Sequence, residues 1–99
     1  MKYNLLLVED DTYIREIIED YFSEKEEPAF VIRSAKDGDE GMELIYEQEF
    51  DLVLLDIMLP EEDGLSVLRK LRTAATTRKL PVIMLTAKNA EYDRVLGLD

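Results

Sequence analysis

Ninety-nine residues suit a single small domain, one that buries roughly two-thirds of the surface its unfolded chain exposes and so has little margin of core. Hydrophobic residues at 46% and charged residues at 35% describe an ordinary globular chain rather than a disordered tail or a membrane segment. The absence of cysteine and histidine excludes disulfides, thiolate catalysis, serine-histidine triads and imidazole metal ligation, and a net charge of −11 opposes direct contact with nucleic-acid phosphates.

Leu5 to Val8 is a continuous apolar run, as a strand buried on both faces requires, and the acidic cluster Glu9, Asp10, Asp11 follows at once. Those acids and Asn4 interrupt any signal-peptide pattern, and neither this run nor Leu52 to Leu55 can span a bilayer. Ile14, Ile17, Ile18, Tyr21 and Phe22 recur at three- and four-residue spacing, which predicts a helix with one apolar stripe reaching about Ser23, capped by Thr12 or Asp11. Phe30 to Ala35 reads as a second strand after Pro28. Asp37, with Glu40 three residues on, makes a capping-box-like start for a helix through about Tyr46.

Leu52 to Leu55 is a third buried strand that again ends on an acid, Asp56. Pro60 and Gly64 punctuate the loop beyond it, and Val67, Leu68 and Leu71 give a third helical stripe. A polar stretch from Thr73 to Lys79 precedes the apolar run Leu80 to Leu85, with Thr86 at its end, and Asn89 to Leu98 starts a fourth helix. Strands alternating with helices through short connections call for right-handed crossovers and a parallel sheet with helices on both faces. Repeats, linkers and low-complexity segments are not visible.

In a parallel sheet the residues just past the strand ends collect along one edge, where ligands of open α/β sheets bind. This sequence delivers Glu9, Asp10 and Asp11 to that edge from strand one, Asp56 from strand three and Thr86 from strand four. Clustered carboxylates repel one another unless a cation is present. Mg²⁺, which uses one or two carboxylates plus a substrate phosphate, is the natural remedy. Asp56 beside such an ion is a candidate nucleophile for a phosphoryl group, and the Thr86 hydroxyl a donor to one of its oxygens.

The bland alternative is that each acid caps a helix or turn, and for Asp11, Asp37 and Asp63 capping is the better reading. For Asp10 and Asp56 the balance reverses, because acids ending two buried strands plus a hydroxyl ending a third are hard to explain by capping alone. Glycines 38, 41 and 64 are scattered and none follows strand one, so a phosphate-cradling glycine loop is not supported.

The segments LLLVEDD (Leu5 to Asp11), DLVLLDIMLPEEDG (Asp51 to Gly64), LPVIMLTAK (Leu80 to Lys88) and YDRVLGLD (Tyr92 to Asp99) stand in the order and at the spacing of response regulator receiver domains. Over its whole length the chain resembles the receivers of the winged-helix, DNA-binding transcription-factor class. The resemblance implies a flavodoxin-like three-layer α/β sandwich, strand order 2-1-3-4, spanning residues 1–99 as one receiver domain.

Carried over by position, the family's acidic pair falls on Glu9 and Asp10 and its phosphoryl acceptor on Asp56. Mg²⁺ is then held by the carboxylates of Asp10 and Asp56 and the backbone carbonyl of Met58, with Glu9 acting indirectly. The switch hydroxyl falls on Thr86 and the small residue beside it on Ala87. The phosphoryl donor implied is a phosphohistidine on a sensor histidine kinase, the setting cytoplasmic, and the output transcription through DNA contacts made by a domain absent from these residues. On this reading the chain is a signalling acceptor that promotes its own phosphorylation and dephosphorylation, not an enzyme turning over a separate substrate.

Two departures stand out. Receivers have a fifth strand, ending in a lysine, and a fifth helix, and the sequence stops before them; Lys88 lies at a position the family leaves variable and is not that lysine. An unpaired fourth strand is expected to lower stability and favour association, as a homodimer or a segment-exchanged dimer. Glu61 and Glu62 also stand where the family often has a glycine and an apolar residue, adding charge near an anionic site. Two other classes fit the same residues less well: a magnesium-dependent phosphohydrolase with Asp56 as nucleophile, and an unphosphorylated docking module, against which intact Asp10, Asp56 and Thr86 argue.

Overall fold

The computed structural model describes residues 1–59 and 63–85. Its elements alternate as β1 (Lys2–Val8), α1 (Thr12–Ser23), β2 (Ala29–Ala35), α2 (Gly38–Glu47), β3 (Leu52–Asp56), α3 (Gly64–Thr73) and β4 (Val82–Leu85). The strands form one parallel sheet in the order β2-β1-β3-β4, which is the expected order. The expected fourth helix and Thr86 to Lys88 lie outside the described residues.

Alternation along β1 divides the core between the two faces of the sheet. Leu6 and Val8 point one way and join Ala35, Leu44, Phe50, Val53, Leu55, Val67 and Leu71 in a cluster roofed by α2 and α3. Leu5 and Leu7 point the other way and pack with Leu54, Ile18, Phe22, Phe30 and Ile32 beneath α1. Full burial of Leu5 through Val8 on both faces is why that run carries no polar residue. β2, at the sheet edge, instead alternates half-buried Phe30 and Ile32 with exposed Val31 and Arg33.

Three strand limits differ from the sequence reading, β2 only by its first residue, Ala29 in place of Phe30. β1 begins at Lys2 rather than Leu5, because Lys2, Tyr3 and Asn4 continue the parallel register against Ala29, Phe30 and Val31 although only half covered. β4 begins at Val82 rather than Leu80. Leu80 still closes a turn through its N–H to the Thr77 carbonyl (3.0 Å), and Pro81 has no N–H to give, although its carbonyl accepts from Val53 N–H at 3.0 Å. The α1 stripe is also narrower than its sequence pattern. Ile18 and Phe22 pack on the sheet, whereas Ile17 and Tyr21 remain 51% and 57% exposed.

All three capping aspartates cap. Asp11 Oδ1 accepts from Tyr13 N–H (2.9 Å) and Ile14 N–H (3.2 Å), Asp37 Oδ1 from Glu40 N–H (2.8 Å), and Asp63 Oδ1 from Ser66 N–H (2.8 Å). Asp37 is not one of the clustered carboxylates and caps α2 alone, so Asp37→Ala isolates the cap. It is expected to cost about 1 kcal/mol and to lower the thermal midpoint by about 4–8 °C in a domain of this size, measured by thermal unfolding.

Candidate functional site

The parallel register sets the ends of β1 and β3 side by side. Val8 pairs with Leu55, so Glu9 and Asp10 leave β1 next to Asp56, the last residue of β3. One carboxylate oxygen from each of Glu9, Asp10 and Asp56 lies within 4.8 Å of the other two. Glu9 and Asp56 are buried, at 2% and 0% exposure, while Asp10 is exposed at the rim.

Consecutive residues of an extended strand point to opposite faces, so two neighbours cannot both turn to one site unless the chain bends. It does so directly after β1. Glu9 N–H still donates to the Ala35 carbonyl at 3.0 Å, but Glu9 Oε2 already accepts from Asp11 N–H at 3.0 Å, and Asp11 is the cap of α1. Across the site, Asp56 Oδ1 accepts from Met58 N–H at 3.1 Å, which ties the Asp56 side chain to the loop that follows it. Beneath, α3 comes in close: Gly64 N–H donates to the Ile57 carbonyl at 2.7 Å.

Three converging carboxylates, two of them buried, are a hard, all-oxygen donor set, and burial of like charges at this spacing is unfavourable without a counter-ion. The chemistry of that set fits a divalent cation of the magnesium class. Met58 lies beside the cluster through its N–H contact to Asp56. Thr86 and Ala87 lie outside the described residues. β4 runs up to Leu85, which is in register with Asp56.

Two residues important to this geometry escaped the sequence reading. Arg15, on the first turn of α1, donates through Nη1 to the Glu9 carbonyl (2.9 Å) and the Asp10 carbonyl (3.2 Å), and through Nη2 to Thr12 Oγ1 (3.2 Å). Its one visible signal was a lone cation four residues after an acidic run, on a helix otherwise rich in acids. Gly64 read only as loop punctuation, yet a Cβ there would lie 2.2 Å from the Asp56 carbonyl oxygen.

Residues 5–99 match the family described as the response regulator receiver domain. The transcriptional regulatory protein GltR of Pseudomonas aeruginosa is 43% identical over 96 residues, covering 97% of this chain and 38% of that protein. The transcriptional regulatory protein DltR of Streptococcus agalactiae is 47% identical over 95 residues, covering 96% of this chain and 40% of its own length. The chain thus spans about two-fifths of the curated relatives it matches. Among solved structures, a putative response regulator from Chloroflexus aurantiacus superposes with a TM-score of 0.83 at 29% identity, over 98% of this chain and 77% of that one. The phosphorylated cyanobacterial phytochrome response regulator RcpA does so at 0.81 with 28% identity, over 96% and 72%. Sheet order, acidic edge and a match running nearly end to end together establish that this chain belongs to the response regulator receiver domain family.

Proposed function

We propose that Asp56 accepts a phosphoryl group from a phosphohistidine of a sensor histidine kinase and that the resulting change governs transcription through parts of the protein outside these residues. The observation that carries this reading is the convergence of the Glu9, Asp10 and Asp56 carboxylates within 4.8 Å at the shared end of β1 and β3. In the transfer, an Asp56 carboxylate oxygen attacks phosphorus, the phosphorus-nitrogen bond breaks, and the imidazole nitrogen of the donor keeps the electron pair. The product is an acyl phosphate on Asp56 and a free histidine on the kinase.

Asp10 and Asp56, with the Met58 carbonyl, are the residues to hold Mg²⁺, and Glu9 supports them from its buried position. When bound, that ion neutralises the carboxylates and the incoming phosphoryl oxygens. Met58 N–H, already on Asp56 Oδ1, fixes the rotamer of the acceptor. Asp11 keeps α1 capped and so keeps the loop short. Thr86 and Ala87 complete the proposal, Thr86 as the hydroxyl drawn to the phosphoryl group and Ala87 as the small neighbour that leaves room for it. Their displacement biases a two-state equilibrium that the rest of the protein reads.

Intact-mass measurement after incubation with a small phosphodonor and Mg²⁺ tests this reading. One phosphoryl mass per chain supports it, and unlabelled protein under conditions that label an established receiver overturns it. Continued release of phosphate from an ester, far beyond one equivalent, favours a phosphohydrolase instead.

Glu61 and Glu62, outside the described residues, place added negative charge in the loop after the acceptor strand. They are proposed to slow small anionic donors while kinase docking sets specificity. Charge is screened over about 8–10 Å in physiological salt, so replacing both with Gln is expected to speed labelling modestly, and only at low ionic strength. Labelling time courses at two salt concentrations check it, and equal rates at low salt reject it.

A further inference from the structure

Bringing consecutive residues to one site needs a bend, and a bend of two peptide groups needs something to hold it. While Glu9 N–H still donates to Ala35 on β2, the carbonyls of Glu9 and Asp10 both accept from a single nitrogen of Arg15. Arg15 in turn is fixed on α1. Its own N–H donates to the Asp11 carbonyl at 2.9 Å, and its second guanidinium nitrogen rests on Thr12 Oγ1. The guanidinium therefore bridges the end of β1 to the start of α1 with three hydrogen bonds.

We infer that Arg15 is the positioning residue that holds the Glu9–Asp10 bend, turns both carboxylates toward Asp56, and thereby sets the affinity of the acidic site for Mg²⁺. The inference rests on the proposed reading of that site. Arg15 touches backbone carbonyls and a hydroxyl, so it acts through Glu9 and Asp10 and is not itself a ligand.

Position and charge make opposite forecasts, which is what makes the role testable. A cation near three carboxylates opposes a second cation. If Arg15 mattered through its charge alone, removing it would deepen the local negative potential and tighten Mg²⁺ binding. If it positions the bend, removing it frees two peptide groups and weakens binding. Loss of groups that orient metal ligands typically costs about 10–100-fold in affinity. Lysine keeps the charge and three donors on one point-like head, but lacks the planar fork that places Nη1 on two carbonyls and Nη2 on a hydroxyl, so it should hold the bend less well.

The experiment is titration calorimetry of Mg²⁺ into the full chain as wild type, Arg15→Gln and Arg15→Lys, at a temperature where circular dichroism shows each folded. About tenfold weaker binding is expected for Arg15→Gln, with Arg15→Lys weakened by less. The amide of Asp11, which donates to Glu9 Oε2, is expected to exchange its hydrogen faster in Arg15→Gln. If Arg15→Gln does not fold, Arg15→Lys carries the test, since it preserves charge and helix propensity. Unchanged or tighter Mg²⁺ binding in the variants, beside a wild type that binds, overturns the positioning role and leaves the acceptor reading standing. A wild type that takes no Mg²⁺ overturns the acceptor reading and this inference with it.

Discussion

Asp56→Asn is expected to abolish stoichiometric phosphorylation while leaving the fold intact and, without divalent cation, raising its stability. An amide oxygen cannot form the acyl phosphate, so loss of labelling should be complete rather than partial. The stability gain has a separate cause. Asp56 is wholly buried and one of its oxygens lies within 4.8 Å of an oxygen of Glu9 and of Asp10, so an uncharged amide there should relieve like-charge repulsion in the cluster. Mg²⁺ should then stabilise the variant much less than the wild type. Asp10→Asn, at the exposed rim, should weaken Mg²⁺ binding and slow transfer without removing the acceptor. Intact mass and denaturant unfolding with and without Mg²⁺ read both effects. Wild-type labelling of Asp56→Asn moves the acceptor to another residue. A variant less stable than wild type in the absence of Mg²⁺ removes the charge-repulsion account.

The features legible in the sequence were those fixed by local pattern. Leu5 to Val8 and Leu52 to Leu55 announced buried strands because a parallel strand covered on both faces admits no polar side chain. Asp11, Asp37 and Asp63 announced helix starts because a cap needs only a short acceptor and a free amide three residues away. Even the meeting of Glu9, Asp10 and Asp56 followed from strand ends in a parallel sheet, where the structure brings the three together. Features set by one element seen from another were not legible. Lys2 to Asn4 extend β1 only because β2 lies alongside them, and Asn4 N–H is further held by Asp51 Oδ2 at 2.7 Å. Arg15 binds carbonyls, which every residue has, so no pairing of side-chain types could have pointed to it. Arg72 repeats the case at the opposite end of the sheet, where Nη1 donates to the Leu80 carbonyl at 2.7 Å and helps close the α3–β4 connection.

Gly64 is the strongest instance of such long-range dependence, and Gly64→Ala is expected to be the most damaging single-methyl change at the described glycines. The reason is proximity rather than an unusual backbone angle. A Cβ at residue 64 would stand 2.2 Å from the Asp56 carbonyl oxygen, 2.8 Å from Ile57 Cα and 2.9 Å from the Asp56 carbonyl carbon. All three are backbone atoms at the end of a buried strand, so no side-chain rotation relieves the contact. By contrast, a Cβ at Gly41 would meet Val8 Cγ2 at 3.0 Å, a side-chain methyl that can shift. Overpacking usually costs about 1–3 kcal/mol, and a clash against backbone on this scale should reach or pass the upper figure, a large part of a total of about 5–15 kcal/mol. The alternative to unfolding is that α3 backs away, breaking the 2.7 Å bond from Gly64 N–H to the Ile57 carbonyl and moving the Asp56 backbone with it. Stability and chemistry should therefore fall together: denaturant unfolding should show a loss of about 3 kcal/mol, and the molecules still folded should bind Mg²⁺ more weakly. Gly41→Ala is the control, predicted to lose less stability and to bind Mg²⁺ normally. Gly64→Ala with wild-type stability and Mg²⁺ affinity would mean that α3 does not approach the end of β3 as closely as the hydrogen bond and the missing Cβ require.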